Sequence, residues 1–188
     1  MQSTTNRTGV LILLVATLAN ACFTSGPRNN SRFAGIEKIE DLEGVYKNDG
    51  ESGYRGPSSF YLSKVIWPED KELDHKTVET IEVRKAGEKQ LVVKALSRDG
   101  VKKESTFVEG KDFQISDGRI RLETRVGFSG NKKGEAIVGP YTELRELGLD
   151  TAGHGKLRQS FSVVGMVFLF MPFAGGGHDD VRFVRVKE

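Results

Sequence analysis

Hydrophobic and polar positions divide the chain into three stretches. Residues 1–9 are polar, with Arg7 as the one charged side chain, and they run into Val10-Leu-Ile-Leu-Leu-Val-Ala-Thr-Leu-Ala19. A short polar lead followed by a short apolar run predicts an export signal, because the run ends well below the ~20 residues a permanent membrane helix needs. Residues 23–32 are polar, hold Gly26 and Pro27, and show no apolar period, which predicts a flexible spacer. From Leu42 onward the dominant signal is alternation, broken at short intervals by turn residues.

That alternation predicts strands. Arg119–Val126 sets Ile120, Leu122, Thr124 and Val126 on one side and four charged residues on the other, as a half-buried strand requires. Similar runs cover Thr77–Arg84, Gln90–Leu96, Val101–Val108, Glu135–Val138, Lys156–Val163 and Val181–Val186, and Tyr141–Leu149 is read as a strand from its place among them. Asp99-Gly100 and Asp117-Gly118 mark hairpins, and every connection is too short for a parallel crossover, so neighbouring strands should pair antiparallel. Two segments differ. Leu62, Val65 and Ile66 fall at helical spacing ahead of Pro68 and predict one short helix within Ser58–Trp67. Val163–Phe173 is apolar on both faces, so a strand there needs its outer face covered, by that helix or by another protein.

The expected fold is therefore all-β, an antiparallel meander barrel of about 8–10 strands with one short helix, since closure removes exposed edges. A two-sheet β-sandwich is the alternative. The domain plan is a signal at 1–21, an N-terminus and tether at 22–34, and a single domain at 35–188.

Composition narrows the function. Of 188 residues, 28 are Lys or Arg and 26 Asp or Glu, a net charge of +2 that gives no electrostatic case for nucleic acid. Removing residues 1–21 takes away Arg7 and no acid, so the remainder holds 27 bases against 26 acids. One cysteine excludes an internal disulfide, and three scattered histidines give no metal-ligand spacing. That cysteine, Cys22, follows Ala19-Asn20-Ala21, small residues that suit a cleavage site.

This arrangement resembles a bacterial lipoprotein precursor, although that family usually has Leu where this chain has Ala19, with Leu18 one place earlier. The resemblance implies cleavage before Cys22, diacylglyceration of its sulfur, and an anchor in the cell envelope. Phe23 and Thr24 follow instead of an inner-membrane Asp signal, which implies the outer membrane, facing the periplasm. An ordinary A-x-A signal-peptidase site would cut the same bond and leave the thiol bare. Gly44-x-Tyr46 near the start and Arg182 and Arg185 near the end resemble small lipocalin-like (calycin-type) lipoproteins. That resemblance implies that Arg182 or Arg185 packs over the Tyr46 ring and closes the barrel; Tyr stands where the family has Trp.

Catalytic patterns are sparse. Gly127-Phe-Ser129-Gly-Asn131 lacks the last Gly of a nucleophile elbow, and Gly153-His-Gly-Lys156 lacks the first Gly and the final Ser or Thr of a phosphate loop. His178-Asp179-Asp180 after three glycines is the most reactive grouping, as a metal or acid–base candidate, but adjacent side chains on extended chain point to opposite sides. The expected function is a non-enzymatic, membrane-anchored binding module without cofactor or metal. It would take a small apolar ligand or an envelope protein, with Tyr54, Trp67, Met166, Phe168 and Phe170 as surface candidates. The alternatives are an inhibitor of a lytic enzyme such as lysozyme, because Ser52-Gly53-Tyr54 resembles the loops of such inhibitors, and a hydrolase using the His178 cluster.

Overall fold

The computed structural model describes residues 22–53, 60–122, 124–130, 137–168 and 171–186. In chain order the strands are β1 (Cys22–Ser25), β2 (Phe33–Ala34), β3 (Gly44–Lys47), β4 (Asp49–Ser52), β5 (Phe60–Tyr61), β6 (Thr80–Gly87), β7 (Gln90–Ser97) and β8 (Gly100–Val108). They continue with β9 (Gln114–Ser116), β10 (Arg119–Arg121), β11 (Arg125–Ser129), β12 (Ile137–Asp150), β13 (Gly155–Val167), β14 (Met171–Phe183) and β15 (Arg185–Val186). A 3₁₀ turn covers Ile39–Leu42, and the one short helix, α1, is Leu62–Ile66. The protein is all-β and antiparallel, as the alternation requires.

Among the described residues the strands form two sheets and no closed barrel. One sheet runs β15-β3-β6-β7-β8; the other follows β5-β4-β14-β13-β12-β10-β9, with β1 on β14 and both β2 and β11 on β12. The edges at β8 and β9 do not pair with each other among the described residues. The sheets meet at one corner, where β3 runs into β4 and β14 into β15, and the Lys47 N–H donates to the Val184 carbonyl at 2.8 Å. Both Asp-Gly hairpins form. Asp117 and Gly118 hold φ of 53° and 70°, the paired left-handed geometry of the tight turn between β9 and β10.

The chain comprises two compact units. The first comprises Ser25–Glu123, Arg145–Gln159 and Asp179–Glu188, and the second Met1–Thr24, Thr124–Leu144 and Ser160–His178. The hydrophobic core belongs to the first. Tyr46, Ile81, Val93 and Ala95 from one sheet join Ile120, Leu157, Val181 and Phe183 from the other. Phe183 is fully buried, which is worth about 2–3 kcal/mol relative to exposure. The alternating burial along β7, with Leu91, Val93 and Ala95 buried between partly exposed neighbours, is the predicted half-buried strand.

Three sequence expectations change. Arg119–Val126 is not one strand: β10 buries Ile120 in the first unit, whereas β11 lies in the second and leaves Val126 75% exposed. Val163–Phe173 is not one strand either but the ends of β13 and β14, and Val164, Met166, Phe168 and Met171 are exposed. The spacer is tied down. β1 pairs with β14, Pro27 is buried, Phe33 and Ala34 pair with Asp150 and Leu149, and the Thr151 N–H donates to the Arg32 carbonyl. Polar chain is held here because distant charged groups bind it.

Candidate functional site

The first unit holds an apolar cavity of about 160 Å³ that is open to solvent on one side. Tyr46 on β3, Val83 on β6, Val93 on β7 and Ile120 on β10 line it together with Val65 and Ile66 of α1. The one charged residue in its wall is Asp112, whose carboxylate accepts the Val108 N–H at 2.8 Å. The Tyr46 hydroxyl is also committed, donating to the Leu42 carbonyl at 2.9 Å, and burial pushes its phenol up despite the nearby Arg185 cation. A cavity lined by carbon, with its few polar groups already bonded, offers little to hold water or a charged solute and favours an apolar occupant. Its volume is close to that of an engineered protein cavity of about 150 Å³ that takes up benzene, which sets the scale of an occupant.

Asn48 places the helix at this cavity. The residue is fully buried at the sheet corner, where its backbone carbonyl accepts the Leu62 N–H and its side-chain oxygen accepts the Ser63 N–H, each at 2.8 Å. These are two of the orphan donors at the start of α1, capped from the bend between β3 and β4 rather than by the preceding residue. The Asn48 amide donates in turn to the His75 and Val78 carbonyls. Sequence inspection missed Asn48, because nothing local distinguishes it from a turn asparagine.

Tyr46 and Arg185 are brought together. They are register partners on β3 and β15, and the guanidinium carbon lies 5.7 Å from the ring centroid. Arg185 also donates to the Glu43 carbonyl through its side chain and to His154 Nδ1 through its backbone. Gly44 makes room: its φ is +150°, and a Cβ there would sit 2.5 Å from Arg185 Nε. Gly44→Ala is expected to cost about 1–3 kcal/mol in urea unfolding through backbone strain and displacement of Arg185; a loss under about 0.5 kcal/mol would show the clash to be relaxed.

Arg182 does not take that position. It pairs with Glu51 at 3.2 Å and Asp150 at 3.4 Å. Trp67 is not a surface residue but is buried, with its indole N–H on Ser105 Oγ at 3.0 Å and its ring tilted against Phe107. Met166 and Phe168 are exposed in the second unit, while Tyr54 and Phe170 lie outside the described residues. The His178 grouping does not assemble into a reactive centre. Asp180 is committed to Arg158, Lys156 and Asn30, and no three metal-capable side chains converge among the described residues. No helix among the described residues is long and apolar enough to cross a membrane.

No family model, curated protein or solved structure matches this chain.

Proposed function

We propose that the protein is a lipid-anchored envelope lipoprotein whose first unit is a non-enzymatic binding module for a small apolar molecule. The observation that carries the binding part is the carbon-lined cavity of about 160 Å³ between the two sheets. The occupant is an aromatic ring or a short hydrocarbon segment, held by burial rather than by hydrogen bonds. The anchor is supported by the sequence around Cys22, and the Tyr46–Arg185 pair is what a lipocalin-like origin would place there.

Native mass spectrometry with organic extraction of the purified protein, together with benzene titration followed by NMR, tests the binding. Benzene is expected to shift methyl signals of Val83 and Val93, and Val93→Phe, which fills the space, is expected to weaken it at least about tenfold. No extracted compound and no benzene-dependent shift would reject the binding module. Intact-mass analysis decides the anchor separately: a bare sulfur on Cys22 would reject it.

A further inference from the structure

We infer that the apolar cavity takes an amine: an aromatic or short hydrocarbon body lies inside it, and the protonated amino group stays at its opening against the Asp112 carboxylate. The proposal rests on the reading of this cavity as a binding site and names the class of ligand it would hold.

Burial and topology place the opening. Asp112 is the one exposed residue of the cavity wall, every other lining residue being buried or half-buried, so the wall meets water beside it. The residue sits in the loop between β8 and β9, the two sheet edges that do not pair with each other among the described residues. Phe107 near the end of β8 and Phe113, directly after Asp112, line the same cavity and are half-buried. Apolar wall therefore leads up to a carboxylate at the rim.

That carboxylate is held in place without being neutralised. The Val108 N–H donates to its Oδ2 at 2.8 Å, and the Asp112 N–H donates back to the Val108 carbonyl at 2.9 Å. Gly110 turns the loop at a φ of 86° and donates its N–H to the Phe113 carbonyl at 2.8 Å. Asp112 Oδ1 accepts no donor, and the residue has no ion pair, among the described residues. Glu109 and Lys111 flank it without lining the cavity, and their charges offset each other.

The ligand class follows from that order of groups. A ring or short hydrocarbon gains by leaving water for the cavity, whereas a full charge carried inside would lose its hydration. An amino group left at the rim keeps water on one side and meets the carboxylate without the desolvation that penalises a buried ion pair. A ligand with the same body and an acidic head would meet like charge there. Because the pair is exposed, its expected effect is about two- to fivefold in affinity.

Benzylamine, benzene and benzoate, titrated separately into the purified full-length protein at low salt and followed by NMR of the Val83 and Val93 methyl groups, test the proposal. Asp112→Asn keeps a side-chain oxygen for the Val108 N–H. In that variant benzylamine is expected to bind about two- to fivefold more weakly, benzene equally well, and benzoate more tightly. Equal benzylamine affinity in the two proteins, or the same loss for benzene as for benzylamine, would overturn the proposal. A second measurement needs no variant: added sodium chloride is expected to weaken benzylamine relative to benzene in the unsubstituted protein, since screening acts on the exposed pair alone. An unchanged ratio would again overturn it. Absence of any benzene-dependent shift would reject the cavity as a binding site and the amine with it, whereas benzene binding without an Asp112-dependent preference for benzylamine would reject the amine alone, so the two failures are separable.

Discussion

Asp180→Ala is expected to destabilise the protein by about 3–5 kcal/mol, the largest effect of any single truncation outside the apolar core. Asp180 is 1% exposed and is gripped by Arg158 through Nε at 2.7 Å and Nη2 at 2.9 Å, by Lys156 at 2.8 Å and by the Asn30 amide at 2.9 Å. Lys156 is itself buried and also donates to the Ser31 carbonyl at 2.6 Å. Removing the carboxylate strands an ammonium in the interior and takes the Asn30 amide's acceptor from the strap at residues 30–31. Urea unfolding measures the loss; a change under about 1 kcal/mol would mean that Lys156 finds water or another partner.

The same cluster sets acid sensitivity. Burial pushes the Asp180 carboxyl up, but the hydrogen bonds from Arg158, Lys156 and Asn30 outweigh it and hold the group well below its ordinary value of 3.8. The folded state therefore favours the ionised form. Its contribution is complete above that ordinary value and is lost as pH falls below about 4 toward the folded value. The wild-type stability curve should drop more steeply below about pH 4 than that of Asp180→Asn. Parallel curves would remove Asp180 from the acid response.

Asn48→Asp is expected to cost more than about 3 kcal/mol although it changes almost no volume. The new carboxylate still accepts the Ser63 N–H, but it can no longer donate to His75 and Val78, whose carbonyl oxygens would face a buried negative charge. Asn48→Ala loses all three side-chain bonds without adding charge and should cost about 2–4 kcal/mol. Thermal and urea unfolding of both variants give the comparison. Should the Asp variant prove no worse than about 1 kcal/mol, the corner must admit water.

What could be read from the residues was what neighbouring residues decide. Asp117-Gly118 specifies its own turn, and the period-two run in β7 names its own buried side. Alternation does not say which surface will cover that side. Val126 continues the pattern of Ile120, yet one is exposed and the other buried because they belong to different units. Asn30 looked like linker because its partner lies 150 positions away, and Asn48 reaches carbonyls 27 and 30 positions on. The turn opening at Phe168 was hidden because it lacks the residues that ordinarily announce one. The cavity was illegible for a related reason: a void is set by how side chains from six or more elements fail to meet, and no local pattern records it.

The corner that joins the sheets also bears on how the protein is made. β3 obtains one neighbour from β15, and β4 obtains one from the end of β14, so both sheets wait for residues 181–186, far along the chain from the strands they complete. Such distant pairings raise the entropic toll of the nucleating step and slow it.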